Sequence, residues 1–305
     1  MVSLFWVLHD FEWDKLLEEI HEIEWRWIGA AVLFDILVYF LQGWRWSLLL
    51  RPVAKIPFSR SIRAIYVGLF ANEILPLRSG ELIRCYLQGR WSGLPFSVTL
   101  SSALIERIFD GIWLLVCLFV TTHFVVVPRK YVAAGEILAL FLIFATALLI
   151  GAMFLREPTE RLLNRYKHTQ QIVVLLDDLY IIGRSRYLIL SAVASLPYLL
   201  LQVVPIYAVA QAYGMDVSLG QGFALMVILR LVSVVPQAPG NLGTFQAAAA
   251  FGLMLFSFDE GLAKRFSFVL WGVITLPLLI AGFIALAITG LNLRELRADA
   301  QSASE

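Results

Sequence analysis

Long apolar runs separated by short polar links make up most of this chain. A helix needs about 20 apolar residues to cross the hydrocarbon core of a bilayer, and several runs reach that length. They occupy residues 27–49, 97–126, 134–155, 187–211 and 266–290. Tryptophans stand at both ends of the first run, as aromatic residues do at membrane interfaces. The pattern predicts an all-α polytopic membrane protein, folded as a helical bundle.

A shorter apolar run covers residues 64–77, which as a helix rises only about 21 Å against about 30 Å of hydrocarbon. Pro76 and Gly80 interrupt it, and a second short helix is expected at 81–91. Broken backbone of this kind is tolerated only where protein buries it or it lines water. The segment therefore predicts a re-entrant hairpin that stops inside the membrane.

The second half of the chain contains a similar interruption. Residues 219–235 are mostly apolar and run into Pro236 and Gly240, which have the same spacing as Pro76 and Gly80. The two prolines are 160 positions apart (236 − 76), about half of the chain. Each interruption follows one clear span. The pattern fits an inverted repeat, in which the binding site lies between two broken elements near the bilayer midplane.

The composition also indicates a membrane protein, with 60% hydrophobic and 15% charged residues, whereas soluble domains have about 45–50% and 25%. A net charge of +1 gives no indication of a nucleic-acid partner. Cys85 and Cys117 do not make a disulfide framework. The four histidines lack metal-ligand spacing, and no nucleotide-binding or hydrolase motif appears. Neither a cofactor nor an enzymatic activity is expected.

Lysine and arginine positions set the expected topology, because cytoplasmic loops are enriched in them. An acidic helix at the N-terminus either lies on the outer membrane surface or packs on the bundle. A basic cluster that begins at Arg45 is assigned to the cytoplasm, as is the longest polar link, whose apolar positions suggest a helix on the membrane surface. The chain is therefore expected to contain five segments. They are an amphipathic N-terminal segment (1–26), a first membrane half (27–155), a cytoplasmic amphipathic loop (156–186), a second membrane half (187–291) and a polar tail (292–305).

Charged residues concentrate between residues 72 and 110, although a charge at the bilayer centre costs about 2.5–3.5 kcal/mol. Glu81 and Arg84 are three residues apart, as are Arg107 and Asp110, so each pair shares a helix face. One interpretation is that these ion pairs fix the first hairpin against the next span. Another is that arginines, whose planar forks bind phosphate, hold an anionic head group while carboxylates orient them. A proton relay through the carboxylates is a third.

The candidate site combines these charges with the two interruptions. Arg78, Arg84 and Arg107 are the candidate head-group ligands, and Arg230 is expected to face the same cavity. Broken helices leave backbone groups free, and helix N-termini attract anions such as a lipid phosphate. The complete set of candidate lipid-binding residues is Asn72, Pro76, Arg78, Gly80, Glu81, Arg84, Glu106, Arg107, Asp110, Arg230, Pro236, Pro239, Gly240 and Gly243.

Three motifs in this chain resemble the lysylphosphatidylglycerol synthase transmembrane-region family of flippase-like membrane proteins. They are LPLRSGELIR at 75–84, ERIFD at 106–110 and PQAPGNLGTF at 236–245. The resemblance covers nearly the whole chain and implies a helical bundle that moves or positions a lipid across the cytoplasmic membrane. In the best-known members this region is the translocating half of a protein whose soluble domain aminoacylates phosphatidylglycerol. Stand-alone relatives are associated with varied lipids, including hopanoids and glycolipids.

The chain departs from the family pattern at three places. It ends at Glu305 without room for the synthase domain, so aminoacyl transfer is not expected. Members usually begin with an additional apolar span, of which only residues 1–8 remain here. Gln246 stands where relatives often carry an acidic residue, so the second broken element lacks that carboxylate.

The expected function is translocation or binding of a lipid with a polar, anionic head group by a multi-pass protein of the cytoplasmic (inner) membrane. The alternative is a non-transporting scaffold that presents lipid to a separate glycosyltransferase or lipid synthase. In that case a lipid-modifying enzyme is a partner, besides the membrane lipid itself. A membrane enzyme is a further alternative, in which Glu106 or Asp110 acts as the base or nucleophile. The sequence assigns no oligomeric state.

Overall fold

The computed structural model describes residues 2–75, 79–124, 170–233 and 239–289, with a few isolated positions between 136 and 151. No strand occurs among them, which confirms the predicted all-α class. A 3₁₀ turn covers Pro239–Asn241. The helices are α1 (Val2–Leu8), α2 (Trp13–Glu22), α3 (Trp25–Leu50), α4 (Phe58–Ile74), α5 (Gly80–Ser92), α6 (Phe96–Phe124), α7 (Gln170–Gly183), α8 (Arg186–Leu201), α9 (Val203–Ala212), α10 (Leu219–Val232), α11 (Thr244–Met254) and α12 (Glu260–Thr289).

Within the described ranges, three segments are long and apolar enough to cross a membrane: α3, α8 together with α9, and α12. They confirm the spans predicted at 27–49, 187–211 and 266–290. Helix α6 has 29 residues and agrees with the run at 97–126, whereas the run at 134–155 lies almost entirely outside the described residues. Large apolar side chains are exposed on α3, α8 and α12, as expected for helices that face lipid.

The order of a span, a pair of short helices and a further long helix occurs twice along the chain. It is α3, α4–α5 and α6 in the first half, and α8–α9, α10–α11 and α12 in the second. Both short pairs pack as hairpins, which confirms the two predicted broken elements. Their tips meet, because the Asn241 amide donates to the Glu73 carboxylate at 3.3 Å. Pro76 and Pro236 lie outside the described residues.

Two glycines allow α4 and α5 to approach closely. A Cβ atom on Gly80 would lie 1.9 Å from the Gly68 carbonyl oxygen and 2.6 Å from Asn72 Oδ1. A Cβ atom on Gly68 would lie 2.7 Å from the Cβ of Arg84. The backbones of the first hairpin are therefore in direct contact, as in membrane helices that pack through small residues. This contact holds Arg84 and the α5 backbone against α4.

The N-terminal segment forms two short helices, α1 and α2, and α2 is the amphipathic helix predicted within 1–26. Arg265, near the start of α12, contacts Glu12 at 2.5 Å and Glu19 at 2.7 Å. Helix α1 packs on α11. The segment is therefore held against the bundle by ion pairs as well as by apolar contacts, as in the second of the two expectations.

Helix α7 is the described end of the predicted cytoplasmic loop at 156–186. Its apolar face consists of Leu176, Leu179 and Ile182, and all three side chains are buried. They pack in one cluster with Leu49 of α3 and with residues of α6. The apolar face of this helix therefore packs on α3 and α6, and its expected position on the membrane surface stays a prediction.

Gly80→Ala is expected to destabilise the fold, because the added Cβ atom would overlap the Gly68 carbonyl oxygen. Overpacking typically costs about 1–3 kcal/mol, so the purified variant should melt at a lower temperature than the wild type in detergent. Gly29→Ala is the matched control, since nothing lies within 4 Å of a Cβ atom at that position. Equal melting temperatures for the two variants would contradict the close approach of α4 and α5.

Candidate functional site

A chain of ion pairs joins α5 and α6 inside the bundle. Arg84 of α5 contacts Glu81 of the same helix at 2.9 Å and Glu106 of α6 at 2.8 Å. Arg107 of α6 contacts the same Glu81 at 2.9 Å and Asp110 at 3.5 Å. The two pairs predicted from their spacing within single helices are therefore present. The chain ends in two carboxylates, those of Glu106 and Asp110, which lie one helical turn apart on α6.

Arg45 of α3 closes this chain into a ring. Its guanidinium contacts Glu106 at 3.1 Å and Asp110 at 2.5 Å, and it donates to the Ser195 hydroxyl at 3.0 Å. The guanidinium also lies 4.5 Å from the ring centre of Tyr198. Arg45 is fully buried and paired with carboxylates, so it is not an exposed member of the basic cluster that the sequence predicts. Because Arg45 lies inside the apolar run at 27–49, its burial could have been predicted from the sequence.

The charge ring consists of six side chains of alternating sign: Arg45, Glu106, Arg84, Glu81, Arg107 and Asp110. Three guanidiniums and three carboxylates cancel, so the ring as a whole is neutral. Removing one partner of a buried ion pair costs about 3–5 kcal/mol because it leaves the other charge uncompensated. The ring therefore fastens α5 and α6 to α3, as the first interpretation of these charges proposes.

The ring has a buried edge and an open edge. At the buried edge Arg45, Arg84 and Glu106 are at most 2% exposed, and Trp46 lies against Arg84 with 4.6 Å between the guanidinium carbon and the indole ring centre. At the open edge the Arg107 side chain is 45% exposed and that of Glu81 is 33% exposed. The open edge is thus the part of the ring that a ligand can reach.

The open edge borders a cavity of about 230 Å³ between the two halves of the chain. Glu81 and Arg107 belong to its wall, together with Asn72 and Glu73 at the tip of the first hairpin. Asn241 contributes from the tip of the second hairpin, so both broken elements meet at the cavity. This arrangement matches the geometry that an inverted repeat predicts for a binding site.

Arg230 of α10 lies in the wall of the same cavity. Its guanidinium donates to the Gln202 side-chain oxygen and, at 3.3 Å, to the Tyr198 hydroxyl. Gln202 occupies the break between α8 and α9, three residues before Pro205, whose missing N–H accounts for the break. No carboxylate pairs with Arg230 among the residues that the structure describes. Its positive charge is therefore available to an anionic ligand.

Asp35 of α3 also lines the cavity and was not identified from the sequence. It is 6% exposed, and its Oδ2 atom is buried with no hydrogen-bond partner. In the sequence, the indication of its position is that Asp35 is a single carboxylate inside the apolar run at 27–49. Within the described part of the chain, no set of three acidic, histidine or cysteine side chains fits a metal ion.

The predicted site residues separate into two groups. Asn72, Glu81, Arg107 and Arg230 lie together in the cavity wall. Other predicted residues lie outside that wall: Arg84, Glu106 and Asp110 belong to the charge ring, as Glu81 and Arg107 also do, and Gly80 packs on α4. Arg78, with Pro76 and Pro236, lies outside the described residues.

The predicted residues at the second interruption shape the backbone. Pro239 and Gly240 form the 3₁₀ turn, and the Gly240 carbonyl accepts a hydrogen bond from the Trp271 indole at 2.9 Å. Gly243 has φ +85° and packs against Leu4 of α1. Gln246, which replaces an expected carboxylate, accepts the Gly243 N–H at 2.7 Å and so caps α11.

Glu106→Gln is expected to lower the free energy of unfolding by about 3–5 kcal/mol, because it removes the buried carboxylate between two buried arginines. Glu81→Gln is the matched control, since this carboxylate also bridges two arginines but is partly exposed. Its loss should be smaller, because solvent screens the charges that remain. Chemical denaturation of both variants in detergent measures the difference. Equal losses would contradict a stabilising role for the buried edge.

The proteins with similar sequences are membrane proteins. A UPF0104 membrane protein of Methanothermobacter thermautotrophicus is 26% identical over 284 residues, covering 84% of this chain and 81% of the relative. A UPF0104 membrane protein of Methanocaldococcus jannaschii is 28% identical over 141 residues, covering 45% and 42%. No solved structure matches. The profile of the lysylphosphatidylglycerol synthase TM region matches residues 1–303, and the chain therefore belongs to that family.

Proposed function

We propose that this protein binds the anionic head group of a membrane lipid in the cavity and moves it from one leaflet to the other. The observation that carries this proposal is Arg230, a guanidinium without a carboxylate partner among the described residues, in a polar cavity between membrane-spanning helices. Polar groups inside a membrane protein commonly mark a substrate pathway. A guanidinium binds phosphate oxygens through two parallel hydrogen bonds.

The size of the cavity supports a head group rather than a whole lipid. Pockets that enclose drug-sized molecules measure about 300–1,000 Å³, and this cavity is smaller, at about 230 Å³. A phosphate with a short polar substituent is of suitable size. In this proposal the acyl chains stay in the bilayer, next to the exposed apolar faces of the spanning helices.

The geometry narrows the set of arginines that can contact the head group. Arg45 and Arg84 are each held by two carboxylates at the buried edge of the charge ring. A phosphate reaches them only if the ring opens, so this proposal does not use Arg84 as a phosphate ligand. Arg230 is the proposed phosphate ligand, and Arg107 at the open edge is its proposed neighbour across the cavity.

The contact between the two hairpin tips offers a route for movement. The tips are joined by the hydrogen bond from Asn241 to Glu73, and the 3₁₀ turn packs on α4. A displacement of one hairpin against the other would change access to the cavity without disturbing the ring, which lies in the first half. Transporters with repeated halves work by such rocking of one unit against the other. A location in the cytoplasmic membrane and a mechanism without enzymatic chemistry are part of the same proposal.

Reconstitution into liposomes with fluorescent phosphatidylglycerol tests this function. Wild-type protein should expose labelled lipid of the inner leaflet to an added quencher, and Arg230→Gln should slow this exchange at least about tenfold, equivalent to roughly 1.4 kcal/mol of binding energy. Arg26→Gln is the control, because that side chain is exposed near the start of α3. Only variants that melt at the wild-type temperature and incorporate into the liposomes as well as the wild type are compared.

Two results would contradict the proposal. Exchange by Arg230→Gln at the wild-type rate would remove the proposed phosphate ligand. Wild-type protein that retains lipid through purification but never exchanges it between leaflets would instead support the rival function, a scaffold that presents lipid to a separate enzyme.

A further inference from the structure

Asp35 occupies an unusual position for a carboxylate. It lies ten residues after the start of α3 at Trp25, which is about 15 Å along the helix axis and close to half of a hydrocarbon core of about 30 Å. The side chain is buried at 6% exposure and lines the cavity. One of its oxygens is buried without a hydrogen-bond partner.

The contrast with the charge ring shows what Asp35 lacks. Each carboxylate in the ring contacts two guanidiniums, whereas no described residue forms an ion pair with Asp35. A buried charge without a partner is strongly unfavourable, and such a group is stabilised by taking up a proton or by binding a cation. The described residues offer no metal-binding cluster, which leaves the proton as the simplest ligand.

The groups around Asp35 identify its electrostatic partner. Arg230 is the cation that acts on it across the cavity. Helices α9 and α12 pack on α3 and contribute Pro205, Ile206 and Thr275 to the same cavity, none of which titrates. The titratable or charged groups that face Asp35 or line its cavity are Tyr39 of α3, Tyr66 and Glu73 of α4, Glu81 of α5, Arg107 of α6, Tyr198 of α8 and Arg230 of α10.

We propose that Asp35 is a proton-binding site linked to head-group binding at Arg230. The inference rests on the proposed function, because it requires an anionic head group in this cavity. While the cavity is empty, the positive charge of Arg230 opposes proton uptake by Asp35. When a phosphate contacts Arg230, that charge is neutralised, and Asp35 holds a proton more tightly, taking one up from water wherever the empty site lacks it.

The linkage is reciprocal, as it must be for two ligands of one protein. Proton uptake by Asp35 removes the negative charge that opposes a phosphate, so protonation strengthens head-group binding. The proton returns to water when the head group leaves, and no covalent step is involved. An anion and a proton enter the site together, so the loaded cavity gains no net charge. A proton gradient across the membrane would then bias the direction of lipid movement.

Calorimetric titration of the full-length protein in detergent with short-chain phosphatidylglycerol tests the inference. Measurements at one pH in two buffers of different ionisation enthalpy give the number of protons taken up per lipid. The expected number is greater than zero for the wild type, approaching one at alkaline pH where the empty site has lost its proton, and close to zero for Asp35→Asn at every pH. Asp216→Asn, a change of the same chemistry at an exposed position in the loop between α9 and α10, should behave like the wild type.

The pH dependence of affinity gives an independent readout. Because binding takes up a proton, wild-type affinity should fall as pH rises, by up to about tenfold per pH unit for one proton. Asn at position 35 mimics the protonated acid, so the affinity of Asp35→Asn should be independent of pH and match the wild type at low pH. This readout uses only folded protein, which a size-exclusion profile identifies.

The possible contradicting results are distinct. Lipid binding without proton uptake by the wild type would overturn the inference and leave the proposed function standing. Proton uptake that persists in Asp35→Asn but disappears in Glu73→Gln or Glu81→Gln would place the proton elsewhere. Tighter binding of short-chain phosphatidylethanolamine than of phosphatidylglycerol, lost in Asp35→Asn, would make Asp35 an ammonium ligand. Failure of wild-type protein to bind phosphatidylglycerol at any pH would overturn both proposals.

Discussion

Charge neutralisation in a low-dielectric interior is the constraint on which this structure depends. Ionised side chains are stable inside a membrane bundle when partners compensate them or when they face a water-filled cavity. The ring meets this requirement by alternating three guanidiniums with three carboxylates from α3, α5 and α6. Aromatic rings beside Arg45 and Arg84 add favourable contacts on the buried edge. The ring compensates its own members, whereas Arg230 and Asp35 line the cavity without an ion-pair partner among the described residues.

The two edges of the charge ring have different surroundings. The buried edge of the ring fixes the first hairpin, and the glycine contact holds Arg84, which pairs with Glu106, against α4. The open edge borders the cavity, where the hairpin tips of both halves meet. The two interpretations of these charges that the sequence left open thus apply to different parts of one ring. Its buried pairs support a structural role, and its exposed pair, Glu81 and Arg107, borders the cavity in which we propose that the head group binds.

Much of the architecture follows from sequence patterns. Apolar run length predicts the spans, and the Pro and Gly spacing predicts two broken hairpins, because these are local properties of the chain. The pairs Glu81–Arg84 and Arg107–Asp110 follow from helical spacing alone. Arg45 does not, because its partners are about 60 positions away and only tertiary packing brings them together.

The role of Asp35 in the cavity also depends on tertiary packing and cannot be predicted from the sequence. A single carboxylate among apolar residues carries no periodicity, and only the folded bundle shows that it faces the cavity. Gly80 was assigned to ligand binding because it interrupts an apolar run, but its missing side chain serves the contact with Gly68. The same ambiguity applies to any glycine in a membrane helix, since close packing and ligand access require the same small residue.

A cryo-electron microscopy structure of the full-length protein in nanodiscs containing phosphatidylglycerol tests the central claim most directly. The account predicts a lipid phosphate within about 3 Å of the Arg230 guanidinium, with all six ion pairs of the charge ring intact. A phosphate bound to Arg84 or Arg45 with the ring opened, or a cavity that holds no lipid, would contradict it.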